Sequence, residues 1–158
     1  MYTANPAENP DLIQDVHNFH TKFDLTPRTI NAPLDKTLME FRIKFLAEEL
    51  KEINAAAARG DLPEFLDGLV DLVYVAIGTA YTMNLNFGKA WEAVQRANMA
   101  KVKASAENPS KRGHASDIVK PAGWTAPRHD TLFTAYDLTQ EPLSDDDGLV
   151  DLPAYITA

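Results

Sequence analysis

The sequence predicts an all-α fold, a bundle of four to five helices. Three observations predict it. The prolines leave two long windows, 34–62 and 64–108, in which none occurs. Both windows carry apolar residues at spacings of three and four, the helical period. No stretch of useful length alternates apolar and polar residues as a half-buried strand would, and no internal repeat stands out. Long helices with short connections read as a bundle. The 158 residues suffice for one ordinary domain and a tail. With 45% apolar and 24% charged residues, wholesale disorder is excluded.

The first helix is expected to start near Asn9, with Pro10 in its first turn. Leu12, Val16, Phe19 and Phe23 then recur on one face. Asp24 to Pro33 holds two prolines and reads as a connection. A second helix is expected from Asp35 to Arg59, with Gly60 just past its end. Asp61 and Glu64 form a capping-box pattern that opens a third helix, running to about Met83. Asn84 and Asn86 mark a turn, and a fourth helix is expected over Phe87 to Ala104.

Three parts follow from this reading: a helical core at 1–104, a basic loop at 105–130 belonging to the same domain, and an acidic tail at 131–158. The loop holds Pro109, Gly113, Pro121, Gly123 and Pro127 together with Lys111, Arg112, Lys120 and Arg128. The tail holds six acids and neither Lys nor Arg. It is expected to be weakly ordered unless Leu132, Phe133, Tyr136 or Tyr155 docks on the bundle or on a neighbouring subunit.

Charge narrows the function. Fifteen basic against 23 acidic residues give a net charge of -8, which argues against gripping a nucleic acid polymer. Small phosphorylated ligands stay possible, because a metal ion inverts the local field. The absence of Cys excludes a disulfide framework, a thiolate zinc site and a cysteine nucleophile. The N-terminus does not read as a signal peptide, and no apolar run approaches membrane-spanning length, so the expectation is a cytoplasmic protein without a membrane partner.

The second helix carries acids on an apolar face. At about 100° per residue, Glu48, Glu49 and Glu52 fall within roughly 100° of arc, in line with Leu38, Phe41 and Phe45. Leu46, Leu50 and Ile53 cover the other side, which makes this helix central. The third helix repeats the arrangement, with Asp67 and Asp71 one turn apart and Tyr74 and Gly78 continuing their stripe. Clustered, partly buried carboxylates repel and lose hydration, so protonation, a Lys or Arg, or bound cations must neutralise them. An oxygen-only donor set favours hard ions, Mg²⁺ with Mn²⁺ as a substitute. The plainer reading is a solvated face paired with Lys44 and Lys51; the second acidic pair inside an apolar helix weighs against it. Glu64 reads as a capping residue.

On the fourth helix, Asn98 and Lys101 lie one turn apart, placed to reach phosphate oxygens. His17 and His20 share one helical face and read as surface residues. Trp124 either stacks on a base or pins its loop to the bundle.

These pieces, in this order, resemble the MazG-like, all-α nucleoside triphosphate pyrophosphohydrolase superfamily. The carriers are Glu48-Glu49-Leu50-Lys51-Glu52, a form of its EExxE motif, and Asp67-Gly68-Leu69-Val70-Asp71 followed by Leu72-Val73-Tyr74-Val75. The commonest second motif is ExxD; here an Asp stands four before Asp71, and Glu64 three before Asp67. The segments DVHNFHTKF, DGLVDLVYVAIGTA, RANMAKV and KPAGW are similar to the single-domain bacterial and phage branch, over residues 12–128. Some phage members, called MazZ, hydrolyse dGTP and GTP.

The resemblance implies cleavage between the α- and β-phosphates, releasing a nucleoside monophosphate and pyrophosphate. It implies two or three Mg²⁺ ions on Glu48, Glu49, Glu52, Asp67 and Asp71, with Glu49 as general base. Asn98, Lys101, Lys111 and Lys120 would bind phosphates, and His17, Asn18, Phe19 and Trp124 the base. A homodimer or homotetramer is expected. The competing readings are the same chemistry on dUTP, dCTP or a damaged nucleotide, and a non-catalytic helical interaction module. A di-iron bundle is disfavoured, since no Glu-x-x-His occurs.

Overall fold

Each α-helix among the described residues opens on an acid or amide side chain that takes up an orphaned N–H. A computed structural model describes residues 10–114 and 116–140, and four helices stand among them: α1 (Leu12–Lys22), α2 (Lys36–Arg59), α3 (Leu62–Thr82) and α4 (Phe87–Met99). Asp11 accepts from Gln14 N at 3.0 Å, Asp35 from Leu38 N at 3.0 Å, Asp61 from Glu64 N at 3.2 Å and Asn86 from Lys89 N at 3.1 Å. Three helix ends close on a left-handed residue: Asp24, Gly60 and Asn84, with φ of 55°, 68° and 56°. The all-α class is therefore met by local chemistry legible in the sequence.

The element boundaries shift in three places. The expected start at Asn9 lies outside the described residues, and the cap is Asp11. The capping box at Asp61 forms only by half, because the Asp61 N–H is already engaged, donating to Ala56 O at 3.0 Å in the Gly60 turn. The fourth helix stops at Met99, not Ala104. Lys101 N folds back on Asn98 O at 3.1 Å, and Val102–Lys103 (β1) pairs antiparallel with Ile118–Val119 (β2), Val102 opposite Val119. This two-residue ladder was too short to read as alternation.

The chain divides into two units. The first runs through Leu85 and includes residues 135–140; the second is Asn86–Thr134. In the first, the tight Gly60 turn folds α3 back along α2. The buried stripe of α2 is Arg42, Glu49, Ile53 and Ala56, spaced seven, four and three, and that of α3 includes Gly68, Val75, Gly78 and Thr82. At Gly68 the helices are so close that an added Cβ would stand 2.9 Å from Ile53 Cγ1. Helix α1 packs Val16 and His20 against α3, with Phe19 edge-on to Tyr74 at 5.5 Å and His20 against Tyr81 at 4.6 Å.

Two expectations fail inside this core. Phe41 is 56% exposed, and its neighbour Arg42 occupies the buried position. Arg42 donates from Nε to Thr79 Oγ1 at 3.0 Å and from Nη2 to Val75 O at 2.8 Å, and burial pulls its pKa down. His20, expected on the surface, is 3% exposed and holds Val16 O at 2.8 Å through Nδ1. Both side chains crowd Gly78, where a Cβ would lie 2.9 Å from Arg42 Nη2 and from His20 Cε1.

Among the described residues, α3 is the one helix long and apolar enough to cross a membrane. Its Asp67 and Asp71 and its packing on α1 and α2 mark it as a bundle helix. Its outer face remains open: Leu62, Leu66, Leu69, Val70 and Val73 are all exposed, and an apolar groove of about 390 Å³ runs between Leu69, Val70 and Val73 on α3 and Leu12 and Val16 on α1.

The acidic segment is described as far as Gln140; Glu141, Asp145, Asp146, Asp147, Asp151 and Tyr155 lie outside the described residues. Asp137 returns to the first unit and meets Arg28 Nη2 at 2.6 Å, with the two side chains only 13% and 9% exposed. Arg28 also donates to Met83 O at 3.3 Å and to Ala32 O. One guanidinium thus ties the α1–α2 connection, the end of α3 and the C-terminal segment. Replacing Arg28 by Ala removes the ion pair with Asp137 and both carbonyl contacts; urea unfolding should show a loss of about 3 kcal/mol. A loss within 0.5 kcal/mol, roughly the surface-substitution range, would show that the pair carries no stability.

Candidate active site

The α2 stripe explains why Glu49 is buried. Position 49 falls between Arg42 and Ile53 on the face that α2 turns toward α3, and the side chain is 8% exposed. Glu48 and Glu52 flank it on the exposed margin, and Asp67 and Asp71 stand exposed on α3. Asp71 lies between Gly68 and Val75 along α3, three residues after one and four before the other, so it shares their stripe.

Electrostatics gathers these five carboxylates into one neighbourhood. The Glu49 carboxyl is held above the ordinary carboxylate range, first by burial, then by repulsion from Asp71, Glu52, Glu48 and Asp67 in falling order. Asp71 is thus the α3 acid that Glu49 senses most strongly. Glu64 is not among its perturbers; its main-chain N–H is bound by Asp61. Among the described residues no Lys, Arg or His forms an ion pair with any of the five. The pairing with Lys44 and Lys51 of the plainer reading is therefore absent among the described residues.

The donor set suits a hard divalent ion: carboxylate oxygens only, with no thiolate or imidazole among them. As the side chains stand, no three acid or imidazole groups among the described residues converge on one point.

On α1, Gln14 Nε2 donates to Asn18 Oδ1 at 2.9 Å and approaches His17 Nδ1 at 3.5 Å. His17 lies edge-on to Tyr81 at 5.5 Å. Phe19 is 41% exposed, its ring in contact with Tyr74, Phe23 and His20. Gln14 escaped sequence reading because nothing in its spacing separates it from a solvated residue.

The second unit holds the basic residues. Trp124 Nε1 donates to Ala97 O at 2.7 Å, pinning the loop to α4. Lys120 Nζ and Lys101 Nζ lie 4.5 and 5.7 Å from the centre of its ring. Lys101, Lys111 and Lys120 line one groove of about 500 Å³ with Glu107, Arg112 and Asp117. Asn98 is exposed, and its carbonyl receives the last N–H groups of the helix end.

A family model described as phosphoribosyl-ATP pyrophosphohydrolase matches residues 16–98, which takes in the whole α2–α3 pair and all five carboxylates. Among curated proteins, none matches the chain. More than half of the sequence lies within the match, and the chain belongs to the phosphoribosyl-ATP pyrophosphohydrolase family, a MazG-like, all-α family of nucleotide pyrophosphohydrolases.

Proposed function

We propose that this protein hydrolyses a (deoxy)nucleoside triphosphate between its α- and β-phosphates, with dGTP or GTP as substrate in the manner of the phage MazZ proteins it resembles. The observation that carries the reading is the buried Glu49, without a Lys, Arg or His ion pair among the described residues and repelled by four other carboxylates. An apolar seam tolerates such a group only if something neutralises it on binding. A triphosphate adds about four more negative charges, so divalent cations must accompany it.

Divalent-metal dependence is typical of the family. In this proposal Glu48, Glu52, Asp67 and Asp71, with Glu49, hold two or three Mg²⁺ ions, which Mn²⁺ can replace. The ions would screen the phosphate chain and acidify a water. Glu49 accepts the proton of the attacking water at a carboxylate oxygen. Its raised proton affinity suits that task, and its apolar flanks limit access of other water.

Asn98, Lys101, Lys111 and Lys120 are proposed as phosphate ligands. His17, Asn18 and Phe19 are proposed to contact the base, with the Gln14 amide fixing Asn18. For Trp124 the geometry favours anchoring the loop over stacking on a base, because two ammonium groups already accompany its ring. We retain the division into a carboxylate core (1–104), a basic loop (105–130) and an acidic tail (131–158) as a division of roles. The open apolar face of α3 supports a homodimer or homotetramer. The setting proposed is the cytoplasm, the host's if the protein is phage-encoded, without a nucleic acid polymer or membrane as partner.

A second reading follows from the family match: phosphoribosyl-ATP itself, or dUTP, dCTP or a damaged nucleotide, as substrate of the same chemistry. Product analysis across the common NTPs, dNTPs and phosphoribosyl-ATP with Mg²⁺ tests bond and base together. We expect monophosphate plus pyrophosphate, fastest from dGTP and GTP; release of orthophosphate would refute the bond assignment. Glu49→Gln should lower turnover at least about 100-fold, the scale of a lost general base. The same variant, freed of repulsion, should melt higher than wild type in metal-free buffer at pH 7; a lower melting temperature would show that Glu49 stabilises the fold. Finally, Mg²⁺ with a non-hydrolysable triphosphate at 100 times Kd should stabilise the protein by about 2.7 kcal/mol. A thermal shift unchanged by both would favour the non-catalytic docking module.

A further inference from the structure

The loop between β1 and β2 is organised around one carboxylate. Asp117 Oδ2 accepts from Ser110 Oγ at 2.7 Å. Its Oδ1 accepts from Arg112 Nη1 at 2.6 Å and from Ile118 N at 2.9 Å. The Asp117 main chain is held as well, its N–H on His114 O at 3.0 Å and its carbonyl on Ala104 N at 2.8 Å. Ser110 Oγ in turn accepts the N–H groups of Arg112 at 3.0 Å and His114 at 3.3 Å. The Asp117 side chain is 9% exposed, that of Arg112 77%. The carboxylate is the fixed point and the guanidinium its surface partner. The Ser110 hydroxyl, and after it Arg112, hold the Asp117 carboxyl below the usual carboxylate range.

Lys111 is the residue between the two that Asp117 grips. It lines the groove with Lys101 and Lys120, and among the described residues no acid pairs with any of the three. Ammonium groups sharing a groove repel one another, and a free loop would let Lys111 swing away into solvent. Fixing both of its neighbours removes much of that freedom before any anion arrives, which lowers the ordering cost of binding.

We propose that Asp117 is a positioning residue: by clamping Ser110 and Arg112 it sets Lys111 beside Lys101 and Lys120, so that the groove receives the phosphate groups of the nucleotide. The proposal rests on the phosphate role given to these lysines above. It predicts that Asp117, an acid lining an anion site, strengthens anion binding.

The test uses the full chain with Mg²⁺, titrated with inorganic pyrophosphate and assayed for KM and kcat on dGTP. Lys111→Ala and Asp117→Ala should each raise the pyrophosphate Kd and the KM about tenfold, the scale of a lost charge-assisted contact, with kcat within about twofold. Because Asp117 acts through Lys111, the double variant should bind no more than about twofold more weakly than either single one. Asp117→Asn keeps one acceptor oxygen, enough for Ser110 or Ile118 but not both as now, and loses the ion pair; it should fall between wild type and Asp117→Ala. Three outcomes overturn the proposal: Asp117→Ala binding pyrophosphate like wild type while Lys111→Ala binds weakly; the two losses multiplying in the double variant; or Asp117→Ala lowering kcat at unchanged KM, the mark of a smaller folded fraction. If Lys101→Ala, Lys111→Ala and Lys120→Ala all bind pyrophosphate like wild type, the phosphate assignment itself fails, and that pattern is distinct from the other three.

Discussion

The first unit depends on the seam where α2 lies along α3. Everything on that seam is set by close approach: Gly60 turns the chain, Gly68 admits Ile53, and Gly78 admits Arg42 and His20. A seam so narrow leaves little choice about which positions are buried. Position 49 is one of them, and an acid stands there. The same spacing that makes the core therefore places a carboxylate where hydration is poor and other carboxylates are near. Structure and chemistry share one constraint, since the helix pair cannot close without raising the proton affinity of Glu49.

Arg42 shows the same seam handling the opposite charge. Two turns before Glu49, a guanidinium is buried without a carboxylate beside it among the described residues. The α3 main chain and a threonine hydroxyl satisfy part of it. The acids keep their repulsion, which is what a cation-binding patch requires and what a purely structural interior would avoid.

Much of this was legible in the sequence, for identifiable reasons. Asp35 and Asp61 announce helix starts because a short acceptor side chain reaches an unpaired N–H three residues on; Asp11 and Asn86 cap by the same chemistry, but Asn9 stood as the expected first start and Asn86 read only as a turn. Gly60 and Asn84 announce ends because they tolerate positive φ. Glu49 and Asp71 stood out because they interrupt apolar stripes. Arg42 and His20 did not, because a one-residue shift of register exchanges Phe41 for Arg42, and periodicity alone fixes register only to about a residue. The Asp117 hub was equally hidden: its partners Ser110 and Arg112 sit in an aperiodic loop, where contact depends on turn geometry that no spacing encodes. The β1–β2 ladder is two residues long, below what any alternation rule can detect.

The Arg28–Asp137 contact has a topological meaning. It joins residues 109 positions apart in sequence, so the chain leaves the first unit at Leu85 and comes back at Ala135. The intervening segment is in sequence an insertion between two stretches of the first unit. Closing so long a loop carries an entropy penalty, which contacts at its receptor, Arg28, help to offset. That receptor needs Thr82, Met83 and Ala32 in place, since Arg28 N bonds Thr82 O and its guanidinium bonds the other two carbonyls. The returning anion thus meets a guanidinium that is also bound to main-chain carbonyls of the three-helix host.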